Sequence, residues 1–441
     1  MRFCVVFLFL IGYQISVFGQ SGFQFESDKN KVTIPFQLIN NLIFIPIEVN
    51  GIELNFLLDS GVEETILLSL EDKAEVRFNN VQKIKLRGLG DNEAIEGLKS
   101  SNNTLSFKGL TDRNHDVYIV LDQDFNFSSH IGIPVNGIIG YHFFKNNLVE
   151  INYDRKKIIV YKDENKLKKK IKKKYTKIPI TLERSKPYIK ADVLLNDATV
   201  NAKLLVDLGN SDAIWLFENP EKNINIPTIK FEDYLGRGFS GDINGFRAKI
   251  SKFKWQEFEF NDPIVSFPNL ESIKNVTMAS DRLGSIGGAI LKRFNIIFDY
   301  TNATMMLRKS HYYFDHFSYN RSGIELQNEG VQWVQETVTL NTVSNGISFD
   351  NTGERTDNNF KYKFSLKPVY TIASVRKNSP AEACGLLAGD QIVSINGAVA
   401  YRYSLQSIND LLKSEEDKWL HFTIEREGKV LQFKFQLKSI L

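Results

Sequence analysis

The feature that most constrains this chain is an internal repeat. An apolar run, then Asp, one residue, Gly and a second apolar run, occurs twice. NFLLDSGVEETILL holds Asp59, and AKLLVDLGNSDAIWL holds Asp207. A glycine pair follows each copy: Gly137-Ile-Ile-Gly140, then Gly284-Ser-Ile-Gly287. Asp59 to Gly137 spans 78 positions and Asp207 to Gly284 spans 77. The tails align too, Tyr153 falling on Tyr300 at the offset of 147 that relates the glycine pairs. Two motifs in one register imply a fold assembled from two copies of a single unit.

Each copy reads as β-structure. IFIPIEVNGIELNFLLD predicts two strands joined at Asn50-Gly51, a strong hairpin signal. YIKADVLLNDATVNAKLLVD reads the same way. The 33 Phe and 16 Tyr, with frequent Ile and Val, lean the whole chain towards strands. The expectation is a mainly β protein whose two units pack about a pseudo-two-fold axis.

Such an axis would bring Asp59 and Asp207 face to face, each at the tip of a buried strand. Alone, either Asp-x-Gly would be a turn residue capping its own loop. Two carboxylates roughly 3 Å apart share a proton, because both cannot easily ionise. The ionised member can take a proton from water and the protonated one can donate to a carbonyl oxygen. Neither a metal nor a covalent intermediate is needed, so no cofactor is expected.

These residues resemble those of the retropepsin and pepsin superfamily of aspartic proteases, here as a two-lobed single chain. Asp59-Ser60-Gly61 matches that family's first motif. Ile138-Ile139-Gly140 matches its second, as does Ser285-Ile286-Gly287 less cleanly. The resemblance covers residues 30 to 309. It implies that Asp59 and Asp207 are catalytic and that Ser60, Gly61, Gly209, Asn210, Gly140 and Gly287 shape the active loops. It also implies a flap over the substrate in each lobe, for which Gly88 and Gly90, and Gly236 and Gly238, are the candidates. Where the family has Thr or Ser after the second aspartate, this chain has Leu208. That removes one half of the hydroxyl brace between the loops, and Asn210 or Ser211 is the substitute within reach. Two readings stay open: an endopeptidase acting on polypeptides, or an inactive protease-like protein kept as a peptide-binding module.

Other schemes lack support. A net charge of +3 over 441 residues is no nucleic-acid footprint. The positive charge is local, in KLKKKIKKKYTK from Lys166 to Lys177, which reads as a solvated linker. The six histidines show no metal-ligand spacing, and no Gly-x-Ser-x-Gly elbow appears. Residues 1–19 read as a secretory signal: Arg2, an apolar run from Phe3 to Ile11, and small residues before Gln20. The run is too short for the ~20 apolar residues of a membrane span. A secreted protein of the periplasm, the exterior or the cell surface is expected. Cys4 would leave with the signal, and Cys384 would remain without a partner for an internal disulfide.

Beyond residue 318 the pattern changes. TIASVRKNSPAEACGLLAGDQIVSINGAVA, from Thr371 to Ala400, closely resembles a PDZ domain of the bacterial type, through its Ser-Pro-Ala and Gly-Asp-x-Ile-x-x-Ile-Asn-Gly elements. The resemblance implies a β-sandwich with two short helices that binds the C-terminus of a peptide as an added strand. The strand beginning Gly323, Ile324, Glu325 and Leu326 would supply backbone N–H groups, and a helix carrying Leu405 and Ile408 the opposite wall. The expected organisation is a signal at 1–19, lobe 1 at 30–163, a linker at 164–177, lobe 2 at 178–309, and the PDZ-like domain at 318–441. An exposed insertion is expected at about 327–368.

Overall fold

The computed structural model describes residues 22–68, 76–86, 95–121, 127–162, 174–238, 241–274, 276–339 and 360–441. The expected signal, most of the lysine-rich run, and Gly88 and Gly90 lie outside the described residues. The chain is mainly β, and the strands among the described residues form four sheets: one of nine strands, one of ten and two of six.

The nine- and ten-stranded sheets are the two copies of the repeat. In the first, the strand Ile52–Leu58 runs into the Asp59 turn, parallel to Gly137–Ile139. That strand pairs antiparallel with Thr65–Leu67. In the second, Ala198–Val206 runs into Asp207, parallel to Arg282–Ile286, which pairs antiparallel with Ile214–Leu216. The strand ends Phe56-Leu57-Leu58 and Leu204-Leu205-Val206 are wholly apolar because both of their faces are covered. Thus the repeated sequence folds into a repeated strand crossing with an aspartate at each tip.

A six-stranded sheet joins the lobes. Its order is Thr176–Pro179, Thr304–Lys309, Phe294–Asp299, Leu148–Asn152, Lys157–Tyr161 and Lys31–Pro35. The two middle strands are antiparallel, with Glu150 opposite Ile297. These positions differ by 147, the repeat offset, so the pseudo-two-fold axis passes through this pair. The expected linker gives up its last residues, Thr176 and Lys177, to an edge strand of this sheet. Ile178 and Ile180, alternating inward, are what draw that segment onto the core.

The C-terminal region has its own core, built around Ile324, Ile372, Ile395, Ile408, Leu420 and Phe422. Two short helices flank its sheet. Pro380–Cys384 begins with Ser379, whose hydroxyl accepts from the Glu382 amide, and ends at Gly385 with φ 93°. Leu405–Leu412 begins with Ser404, which accepts from the Ser407 amide. Serine caps at the start and a left-handed glycine at the end are the expected punctuation. The described part of the expected insertion is a ribbon. Ile324–Thr339 pairs with Phe360–Val375 out to Thr339 opposite Phe360. Alternating residues such as Val331 and Trp333, facing Pro368 and Leu366, carry the strand pattern. Gly330, at φ 110°, breaks its regularity where the register slips between Asn328 and Val331.

Candidate active site

Each aspartate is fixed by the strand crossing beneath it. The amides of Asp59 and Asp207 donate to the carbonyls of Ile139 and Ile286, both at 2.9 Å. Gly61 N–H donates back to Asp59 Oδ1 at 2.6 Å, and Gly209 N–H to Asp207 Oδ1 at 3.1 Å. The glycines that brace these loops cannot be larger. A Cβ on Gly140 would stand 2.2 Å from the Val62 carbonyl oxygen; one on Gly287 would stand 2.5 Å from those of Asn210 and Asp212.

The structure brings the two carboxyls together across the lobe boundary. A Cβ on Gly209 would fall 2.2 Å from Asp59 Oδ2, and one on Gly61 2.9 Å from Asp207 Oδ1. Asp59 is buried and Asp207 half-buried. Burial, then the Asp207 charge, push Asp59 up to about 8, against the pull of the Gly61 amide and Lys186. Burial also raises Asp207, opposed by the charge of Arg282. Two buried carboxyls this close titrate as a pair rather than as separate acids. Tyr300, two-fold mate of Tyr153, sits in the Asp59 field, its buried hydroxyl without a hydrogen-bond partner among the described residues.

The braces differ between the loops. Ser60 Oγ donates to the Val206 carbonyl at 2.6 Å and accepts from the Leu208 amide at 3.1 Å. By the two-fold, a hydroxyl at 208 would answer the Leu58 carbonyl and the Ser60 amide. Leu208 can do neither, and its side chain is buried in the common core. Asn210 does not replace it. Its side chain accepts from the Asp212 amide and donates to Ser285 Oγ, both within its own lobe.

Sequence reasoning missed a charged network at the far end of the second loop. Arg247 reaches Asp212 Oδ1 at 2.8 Å and Asp233 Oδ2 at 2.6 Å. Trp215 Nε1 and Ser266 Oγ complete the Asp212 carboxylate, both at 2.8 Å. Burial alone would raise Asp212, but the Arg247 charge and these donors hold it below the ordinary carboxylate range. Asp233 in turn meets Arg376 of the C-terminal region at 3.2 Å. Only Asp212, inside the second motif, was within reach of a sequence argument. Near the first loop the buried groups are different: Thr65 Oγ1 lies 2.7 Å from His115 Nε2, and His115 Nδ1 lies 2.7 Å from Asp112 Oδ2.

Gly236 and Gly238 fall in a hairpin, Lys230–Gly238 with Gly241–Lys249. Its register slips between Tyr234 and Gly236, where φ reaches 140°. The corresponding first-lobe hairpin pairs Gln82–Leu86 with Ile95–Lys99, and Gly88 and Gly90 lie outside the described residues. The second hairpin is tied down along one strand: Asp233 by Arg376, Phe231 by the rings and cations of Tyr319 and Arg376, and Tyr234 by His130 of the first lobe.

The expected peptide groove differs from the sequence reading. The strand carrying Gly323 to Leu326 is an edge strand, as such a groove requires. Its loop amides, however, are already used. Asn320 Oδ1 accepts from Ser322 and Gly323, and Ser322 Oγ accepts from Ile324. Ile324, Leu326, Leu405 and Ile408 are core residues with at most 3% exposure. Burial and the Asp233 charge push the Glu325 carboxyl up to about 7, which places it beside the second lobe. The first-lobe helix Phe127–Ile131 packs along this strand, and Gly132 sits against Leu405. First-lobe residues thus lie against the strand and the helix of the expected groove. Asn320 and Ser322, two short polar side chains, cap the turn at its end.

Among the described residues no cluster of three or more His, Cys, Asp or Glu side chains is arranged to hold a metal ion. No curated protein aligns significantly with the chain. Two family models do: that of an aspartyl protease matches residues 45–143, which hold the first aspartate loop and its glycine brace, and that of a PDZ domain matches residues 371–426. The chain thus carries an aspartyl protease domain and a C-terminal PDZ domain.

Proposed function

We propose that the protein is an aspartic-type endopeptidase acting on polypeptides, with Asp59 and Asp207 as its catalytic pair. One observation carries the reading: two carboxyls from repeated loops meet across the lobe boundary, close enough to share a proton. Asp207, the ionised member, takes a proton from a water held between the carboxyls. The resulting hydroxide attacks the peptide carbon while Asp59 donates its proton to the carbonyl oxygen. The tetrahedral intermediate collapses as Asp207 gives its proton to the leaving nitrogen and Asp59 takes one back from a hydroxyl of the intermediate, which becomes the product carbonyl, so the pair returns to its starting charge. Burial favours this chemistry, since a dry site strengthens each charge-assisted step.

The PDZ domain is the second element of the reading, with peptides as its partners. Its groove admits a chain end only if the first-lobe helix and the Asn320 cap give way. A secreted location rests on residues 1–19 alone, and the amino-terminal sequence of the mature protein tests it. No helix among the described residues is long and apolar enough to cross a membrane.

The competing reading, a peptide-binding module without catalysis, draws on Leu208 and the half brace it leaves. One experiment separates them. The mature protein is incubated with an unfolded protein from acid to neutral pH, beside Asp59→Asn and Asp207→Asn. Cleavage abolished in both variants supports the dyad. A folded parent that cleaves nothing favours the binding module, and cleavage that survives both changes rejects the mechanism.

A further inference from the structure

With Leu208 in place of a hydroxyl, Ser60 makes the direct brace between the tips of the two aspartate loops. The six-stranded sheet joins the lobes but leaves the second loop tip without the matching brace. The structure contains a second tie, at a hairpin turn that the sequence did not single out.

Gln37–Ile39 and Leu42–Val49 form a hairpin closed by Asn40 and Asn41. Both turn residues are left-handed, at φ 48° and 66°, a conformation asparagine tolerates better than most. Asn41 Nδ2 crosses the lobe boundary and donates to the Ser211 carbonyl at 2.8 Å. The backbone beneath is seated closely: a Cβ on Gly288 would stand 2.2 Å from the Asn41 carbonyl oxygen. Behind the turn, the Asn40 amide donates to Gln406 Oε1 of the PDZ helix at 2.6 Å.

The target of this contact is informative. The carbonyls of Asn210, Asp212 and Ala213 accept from Gly288, Ala289 and Gly287, all in the same lobe. Ser211, between them, reaches the other lobe instead. The two-fold counterpart is weaker. In the second lobe the turn Arg184–Ser185, also left-handed, meets the first loop through Ser185 Oγ, which donates to the Glu63 side chain at 2.9 Å. A flexible glutamate holds a backbone poorly; an amide on a carbonyl holds it directly.

We infer that Asn41 is a positioning residue for the dyad, holding the second aspartate loop to the first lobe in place of the tie that Leu208 cannot make. It touches neither substrate nor carboxyl. It acts through Ser211, four residues beyond Asp207, and the PDZ helix supports it through Asn40. The inference rests on the endopeptidase reading, and its test has an arm that does not.

The test compares Asn41→Ala, Leu208→Thr and Leu208→Ala, singly and paired, in the full-length mature protein. Asn41→Ala lowers kcat about tenfold with KM little changed, the size of one lost positioning contact at about 1.4 kcal/mol. Leu208→Thr, which restores the hydroxyl, returns the Asn41→Ala enzyme to within about threefold of the parent. Leu208→Ala creates a similar space without a hydroxyl and gives no rescue. Backbone amide exchange is followed from Leu208 to Asp212 in the same proteins. Asn41→Ala speeds exchange there, and Leu208→Thr slows it again. An unchanged kcat in a folded Asn41→Ala enzyme, or equal rescue by Thr and Ala, overturns the assignment. If the parent cleaves nothing, the endopeptidase reading fails alone, and unaltered exchange in Asn41→Ala overturns the positioning role.

Discussion

The two aspartate loops share a backbone and differ in how they are held. Around Asp59 the ties are short and local: Ser60 bridges to the other loop, and Thr65 leans on a buried His115–Asp112 pair. Around Asp207 the tie is ionic. Asp212, Arg247, Asp233 and Arg376 form a chain from the loop, through the Lys230–Gly238 hairpin, into the PDZ domain. A duplicated unit has therefore kept its crossing and aspartate while its two loops acquired different anchors. The first loop is self-sufficient. The second depends on the rest of the chain.

The largest effect tests what the loops have in common. Asp59→Asn and Asp207→Asn each lower peptide hydrolysis by about 10³-fold or more, since either carboxyl is needed for proton transfer. A variant that keeps a tenth of the parent rate would make the pair unequal in role and break the symmetry.

The next test strikes where the loops differ. Glu64 is the two-fold mate of Asp212 and is exposed. Asp212→Ala leaves Arg247 buried with part of its charge unanswered and costs about 3–5 kcal/mol in denaturant unfolding. Glu64→Ala stays within about 0.5 kcal/mol of the parent. Equal costs would mean that the ionic anchor contributes nothing specific.

Ser60→Ala is smaller. It leaves the Val206 carbonyl and Leu208 amide unanswered in a buried site, at about 1–3 kcal/mol. Ser285→Ala, which loses only a 3.3 Å contact with Asn210, costs less in the same measurement.

The last test is a pH dependence. Asp59 titrates near 4 in an unfolded chain and at about 8 in the folded one. The folded state therefore holds a proton that the unfolded state has released. This stabilisation is full below pH ~4 and is lost as pH rises towards 8. Asp59→Asn carries no such proton. It should melt a few degrees above the parent at neutral pH, with the difference closing in acid. A constant difference at every pH would remove Asp59 as the proton's holder.

Much of this was legible in the residues. The apolar strand ends before Asp59 and Asp207 announce themselves, because a strand covered on both faces has no polar alternation. The bracing glycines are readable because no larger residue fits against the carbonyls they face. The PDZ region is readable from its caps and turns. What was hidden depends on distance along the chain. Arg247 is an ordinary strand arginine until the fold sets it between Asp212 and Asp233. Asn41 is one turn asparagine among several. The carboxylate loop of the PDZ domain misled for a local reason: Gly323 has the expected position, but Asn320 satisfies the amides. The ribbon beyond Asn328 was hidden by Gly330 and its polar neighbours, which read as a loop until paired.

The six-stranded sheet at the lobe boundary bears on how the chain is made. Leu148–Asn152 is buried along its whole length, and its partner, Phe294–Asp299, is synthesised well over a hundred residues later. Until then a nascent chain presents an open edge with unpaired backbone groups. The backbone register that centres Glu150 on its repeat-mate also closes between the same strands of two copies, by symmetry, although it sets one Glu150 opposite the other. Synthesis therefore passes through an interval in which neighbouring copies compete with the chain's own second half, and domain exchange is the hazard it runs.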